Sequence, residues 1–356
     1  RHLTYRVLKL LAYYWGGTDA LCYLQIALST AAGVYLAATT TTFTLGNVLL
    51  FSSYTGMLTW PVRQLGRILA DMGRATVAME RLDEILSAPL EKEPGKALKP
   101  EIRGNIQFSH VNFGYDYPDE VLKDISFEVR SGQTIGILGA TGSGKSSLVQ
   151  LLQRLYPVTG GHIYLDGVDI NDIEHEHLRS HIGIVLQEPF LYSRSILDNI
   201  RITDPSASAE EVYSAAKAAA VHDVIQHFDK GYDTLVGERG VTLSGGQQQR
   251  VAIARTLMRK TPILIFDDSM SAVDTETDQA IRKALRGIHG QSTTFIISHR
   301  ITTLMESDRI LVLDQGRLVE EGTHAELLSK HGIYSRIAEI QEATGQVRLD
   351  EKGASL

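Results

Sequence analysis

Apolar positions follow two different patterns along this chain. From Ala20 to Val62 there is no Asp, Glu, Lys, Arg or His. Such a run exceeds the needs of one core helix in a soluble domain and suffices for two membrane spans of ~20 residues each. The polar, β-branched stretch Thr39-Thr-Thr-Thr-Phe-Thr-Leu-Gly46 predicts the break, leaving spans over residues 20–38 and about 47–62. Helical spacing then continues through Leu65, Ile68, Leu69, Met72, Val77, Leu82, Ile85 and Leu86 with charges in between, so the second helix is expected to project from the bilayer as an amphipathic helix. Pro89, Pro94, Gly95 and Pro100 mark a linker.

Beyond residue 100 the apolar runs are short. Ile106, Phe108, Val111 and Phe113 predict an opening strand, and Ile125, Phe127 and Val129 a second. The run Thr134 to Leu138 predicts a buried strand, followed by a glycine-rich loop and a helix carrying Ser147, Leu148, Val149, Leu151 and Leu152. Residues 162–165 lead into a tight Asp166-Gly167 hairpin. A strand over 182–186 ends at Gln187, and residues 207–228 read as a helical subdomain closing at Gly237-Glu238-Arg239-Gly240. A helix opens at Leu243-Ser244-Gly245-Gly246-Gln247. The apolar strand Ile263 to Phe266 is tipped by Asp267 and Asp268, and a last strand, 294–298, ends at His299. Strands alternating with helices predict an α/β fold with a parallel sheet.

Length and charge bound this picture. A chain of 356 residues, 43% hydrophobic, can bury a large core and is expected to hold two domains. A net charge of -7 argues against a nucleic-acid partner. The single cysteine, Cys22, excludes a disulfide framework. The first residue is Arg1, as expected for a piece of a longer protein. Arg1, Arg6 and Lys9 precede the uncharged run, Arg63, Arg67, Arg74 and Arg81 follow it, and the threonine loop carries no charge. Both ends are therefore expected on the cytoplasmic side of a cell membrane, with Trp60 at the interface and Pro61 kinking or ending the apolar part. Gln25 and Asn47 are polar groups near membrane depth, suited to interhelical hydrogen bonds or to a substrate path. Two helices cannot enclose a path across a bilayer, so a pathway requires further sequence, a partner, or both.

The chemistry centres on Gly139-Ala140-Thr141-Gly142-Ser143-Gly144-Lys145-Ser146, which fits G-x-x-x-x-G-K-[ST] between a strand and a helix. Glycines let backbone N–H groups converge on phosphate oxygens, and the helix N-terminus adds partial positive charge. Lys145 is expected at the β- and γ-phosphates, and Ser146 at Mg²⁺. Carboxylates tipping a neighbouring strand hold Mg²⁺ and position water in such enzymes. Ser244-Gly245-Gly246 before a helix is a second anion site, which raises the possibility of dimerisation. Gln187 and His299 end strands aimed at the same sheet edge, where ligands of parallel sheets bind. Taken alone, an aromatic at Tyr115 is most often core and a lone histidine more often structural, but the convergence on one edge favours function for His299.

Together these motifs resemble the C-terminal part of an ATP-binding cassette exporter subunit, across nearly all of residues 101–340. The resemblance identifies Gly139 to Ser146, with Ser147 behind it, as Walker A, Gln187 as the Q-loop glutamine and Leu243 to Gln247 as the signature. Ile263 to Asp267 is Walker B, Ser271 to Asp274 the D-loop, and His299 the switch histidine. Tyr115 matches the adenine-stacking aromatic, and Glu238 with Arg239 lie in the exporter X-loop, which couples to the membrane domain.

It implies an α/β P-loop NTPase with a helical subdomain, preceded by an all-α membrane segment of two transmembrane helices, the last two of six. The expected boundaries are a membrane segment over 1–93, a linker over 94–100, the nucleotide-binding domain over 101–340 and a tail over 341–356. ATP and Mg²⁺ are the implied cofactors, with Mg²⁺ held by Ser146, Gln187 and Asp267. The implied partners are a second half-transporter, the lipid bilayer and a transported small molecule. One position departs from the family pattern. Asp268 stands where most members carry glutamate, as in the degenerate-site subunit of bacterial heterodimeric multidrug exporters. The expectation is an asymmetric heterodimer exporting drugs or lipids, the alternatives being a fully active homodimer and an ATP-gated channel or regulator.

Overall fold

The computed structural model describes residues 2–88, 90–91, 95–115, 119–237, 243–269 and 292–343. They fall into two units, Arg1–Glu91 and Lys92–Leu356.

The first unit is a pair of long helices, α1 (His2–Thr39) and α2 (Leu45–Leu86). Thr44 caps α2, its hydroxyl accepting from the Asn47 N–H. The helices meet where small residues allow close approach. A Cβ on Gly33 would lie 3.4 Å from Val48, and the Thr30 and Ser52 hydroxyls hydrogen-bond across the pair at 2.9 Å. The expected interhelical bonds of Gln25 and Asn47 give way to this pair, because both side chains point outward and are exposed. Leu21, Leu24, Leu28, Leu49, Leu50 and Phe51 are exposed too, the pattern of helices apolar all round.

Two spans were expected; among the described residues one helix is long and apolar enough to cross a bilayer, over Tyr5–Thr39. It begins well before the expected position 20. α2 falls short of that measure, since Asn47, Ser52, Ser53, Tyr54, Thr55 and Gly56 dilute its apolar part. Pro61 does not end α2, which continues through it to Leu86.

The second unit holds two sheets. Strands β1 (Ile106–Phe113), β2 (Leu122–Val129), β4 (Gly160–Leu165) and β5 (Val168–Asp169) form an antiparallel sheet in the order β2-β1-β4-β5. The other has the order β10-β9-β3-β8-β7-β6, built from β3 (Thr134–Gly139), β6 (Ile182–Val185), β7 (Ile263–Asp267), β8 (Thr293–Ile297), β9 (Arg309–Asp314) and β10 (Arg317–Gly322). All but β10 run parallel, so their carboxyl ends share one edge.

Alternation along the parallel strands divides the core. Ile135, Ile137, Ile263, Ile265, Phe295 and Ile297 pack with the antiparallel sheet and α3 (Lys145–Leu152). Leu138, Leu264, Phe266, Ile296, Ile310 and Val312 face the other way. α4 (His175–Ser180) adds Leu178 to the first side, and the second is covered by α5 (Ile196–Ile200), α6 (Ala209–Ala218), α7 (His222–Gln226) and α8 (Gly245–Met258). Continuous apolar runs are what a sheet buried on both faces requires.

Three expectations are revised. The strand ending at His299 is not the last, because β9 inserts beside β3, placing Leu313 opposite Gly139, and β10 closes the edge. Residues 95–100 do not run free. The Leu98 N–H donates to the Asp172 carbonyl and Lys96 pairs with Asp172 at 2.6 Å. The last helix among the described residues, Ile333–Ala343, runs past residue 340 into the expected tail.

Candidate functional site

β3 delivers the glycine loop, and the geometry explains why its residues are glycines. A Cβ on Gly139 would stand 2.4 Å from the Leu313 carbonyl oxygen and 2.5 Å from Ser143 Oγ. Gly144 has φ 98° and would thrust a Cβ to 2.6 Å from Leu122. The loop turns through Gly142, with Thr141 exposed, and enters α3, whose first-turn N–H groups at Lys145, Ser146 and Ser147 have no helical acceptor. The Ser143 hydroxyl is buried without a hydrogen-bond partner. Lys145 Nζ donates to the Gly139 and Ala140 carbonyls, each at 2.8 Å. Burial pulls its pKa down, and the Asp268 and Asp267 carboxylates offset part of that.

At the end of β7, Asp267 is 6% exposed and accepts from Ser146 Oγ at 3.0 Å. Burial raises its pKa, with the Ser146 bond and Lys145 pulling the other way. A hydroxyl and a carboxylate converging beside a lysine, with oxygen-only donors, fit Mg²⁺ bound through few protein ligands. The orphaned Ser143 hydroxyl and the unsatisfied N–H groups fit phosphate. Mg²⁺ bound here with a nucleotide would neutralise developing phosphate charge. Gln187 is exposed just past β6 at the same sheet edge.

Asp268 adopts φ 43°, a left-handed conformation uncommon for a non-glycine residue. Its N–H donates to the Ile297 carbonyl at 3.0 Å, locking the turn after β7 to β8. Its carboxylate lies 3.1 Å from His299 Nδ1. An ionised carboxylate can only accept, so Nδ1 carries the proton and Nε2 is left for a ligand. The histidine side chain is 59% exposed.

The signature caps α8. Ser244 Oγ accepts from the Gln247 N–H while the Gln247 side chain accepts from the Ser244 N–H, a capping box. Gly245 and Gly246 thus supply the remaining first-turn donors, and Leu243 anchors the turn in the core. A Cβ on Gly245 would meet nothing within 4 Å among the described residues, so none of them requires glycine there.

Tyr115 stands beside the loop, its hydroxyl 2.9 Å from Ser147 Oγ, with Phe113 and Tyr156 against it edge to face. Glu238, Arg239, Ser271 and Asp274 lie outside the described residues. Two buried or half-buried amides escaped the sequence reading. Gln249 on α8 donates to the Leu186 carbonyl at 3.1 Å, joining the signature helix to the residue before Gln187. Gln341, assigned to the tail, reaches the backbone around His299. Neither has a local pattern that distinguishes it from any helical glutamine.

The fold and this edge define a P-loop nucleotide-binding domain. Residues 122–271 match the family model described as ABC transporter. The chain is 42% identical over 299 residues to the alpha-hemolysin translocation ATP-binding protein HlyB of Escherichia coli O157:H7, covering 83% of this chain and 42% of that protein. It is 44% identical over 299 residues to the uncharacterized ABC transporter ATP-binding protein YknU of Bacillus subtilis strain 168, covering 83% of this chain and 51% of that protein. A solved bacterial Atm1-family ABC exporter with ATP bound superposes with a TM-score of 0.76 at 37% identity, covering 95% of this chain and 60% of that one. The chain spans about half the length of the curated relatives it matches. Its second unit is an ABC transporter nucleotide-binding domain, homologous to those of ABC exporters. Domains of this family use ATP with Mg²⁺, and ABC transporter ATP-binding proteins are ATPases coupled to transport.

Proposed function

We propose that this chain is part of a half-transporter subunit of an ATP-driven exporter whose own Walker site binds MgATP and hydrolyses it poorly. Two cassettes would meet head to tail, each nucleotide held between one chain's Gly139 to Ser146 loop and its partner's Ser244, Gly245 and Gly246. The first-turn donors of the signature, with Gly245 exposed and no packing reason for it among the described residues, support a ligand arriving from another chain. α1 and α2 would both cross the inner or plasma membrane, leaving the cassette cytoplasmic. Glu238 and Arg239 would pass closure to those helices, and Ser271 and Asp274 would line the seam. Translocation of alpha-hemolysin, as the name of HlyB states for that protein, is one use of such a cassette. Drugs or lipids are the proposed cargo on the analogy with similar exporters alone.

The observation that carries the impaired site is the state of Asp268. Aspartate falls about one C–C bond short of glutamate, and its carboxylate is already engaged by His299 at 3.1 Å. A reacting group misplaced by ~1 Å can lose about a hundredfold in rate. A positioned base contributes roughly 10² to 10⁴, so binding survives while turnover falls. The test is Asp268→Glu in the intact transporter. ATP turnover at this site is expected to rise at least ~10-fold; an unchanged rate refutes the impaired site and returns the active homodimer.

A further inference from the structure

Gln341, on the C-terminal helix Ile333–Ala343, touches the nucleotide edge. Gln341 Nε2 donates to the His299 carbonyl at 2.7 Å, and its Oε1 accepts from the Ile301 N–H at 2.9 Å. One planar amide thus brackets Arg300 and fixes the path of backbone from the histidine into the short helix Ile301–Leu304. Only this orientation of the amide satisfies both bonds. The other end of the C-terminal helix is anchored independently. The Glu320 carboxylate on β10 accepts from the Ile333 and Tyr334 N–H groups. Buried Tyr334 also bonds His324 through its hydroxyl at 2.7 Å.

We infer that Gln341 is a positioning residue for His299, and that the C-terminal helix is a strut between β10 and the turn that carries His299. The inference rests on the reading of His299 as the switch histidine of the proposed ATP site. Rotating the 299–301 backbone would swing the imidazole away from Asp268 and from any nucleotide, because the Nδ1 contact is made by a side chain that is otherwise largely exposed. Nucleotide affinity, set by the glycine loop on β3, would be little affected.

The test uses the full-length transporter in lipid vesicles, with kcat and KM for MgATP measured for the parent and for Gln341→Met, each with Asp268 and with Asp268→Glu. Methionine keeps the length and loses both bonds. In whichever background carries the turnover, kcat is expected to fall about 10-fold with KM within about 2-fold, the split that marks loss of transition-state positioning. Glu339→Ala, an exposed position on the same helix, should match the parent. The inference is overturned if Gln341→Met keeps parental kcat in both backgrounds, if KM rises in step with the loss, or if Glu339→Ala loses as much. Should Gln341→Met melt well below the parent, Gln341→Glu decides, since it retains the acceptor for Ile301 and loses the donor to His299; parental kcat there refutes the strut. Unchanged turnover on Asp268→Glu alone counts against the impaired site only, because the Gln341 ratio is still read beside Asp268.

Discussion

Replacing Asp267 by asparagine should stabilise the empty domain and destroy its response to nucleotide. Asn retains an acceptor for Ser146 Oγ, now 3.0 Å away, and removes a charge from a site 6% exposed. Lys145 already compensates part of that burial. The gain is on the order of 1 kcal/mol, which in a domain of this size raises Tm by about 2–4 °C. With MgATP the order reverses. At one hundred times its Kd a ligand adds ~2.7 kcal/mol to the parent. Loss of a charge-assisted contact worth ~3 kcal/mol weakens binding roughly a hundredfold, and at the same concentration the variant gains less than ~0.5 kcal/mol. Thermal melts of the two proteins, with and without MgATP, should therefore cross. A variant that melts lower when empty, or that keeps the parental MgATP shift, refutes this account of the β7 carboxylate.

The same residue sets a pH dependence. Burial raises its pKa above the ordinary 3.8, so the folded domain holds the proton more tightly than the unfolded chain. A stability penalty is then present at neutral pH and lifts as pH falls through the raised pKa, while Mg²⁺ affinity declines over the same window; in Asp267→Asn the pH slope of the empty-state Tm should flatten. Gly139→Ala drives a Cβ to 2.4 Å from the Leu313 carbonyl oxygen, and overpacking of about 1–3 kcal/mol is expected, with lower Tm and lost binding of a fluorescent ATP analogue. Tyr115→Ala removes a stacking face and should weaken that analogue by about 10-fold or more, whereas Tyr115→Phe, which loses the hydroxyl contacts to Ser147 and Gln150 and keeps the ring, should retain most of the affinity.

Much of this was legible locally. Lys145, Ser146, Asp267 and the signature lie in short segments whose spacing is dictated by backbone geometry at a helix N-terminus or a strand end, and contiguous residues carry that information. The glycines at 139 and 144 are explained by clashes with Leu313 and Leu122, residues far away in the chain, yet their identity alone marked the loop. The membrane segment was harder. A charge-free stretch signals burial in something apolar, but Asn47, Ser52 and Thr55 leave the second helix short of the measure that the first one meets.

What the chain determines by itself is which segments form strands and helices and which chemical groups stand at their ends, because both depend on neighbours within a few residues. The tertiary structure alone decided that β9 lies beside β3, that Asp268 is held by His299 and that Gln341 clamps the backbone from His299 to Ile301. Those contacts join positions separated by 31 to 174 residues or set by sheet order. Packing of distant apolar faces, with no local signature, brings them together.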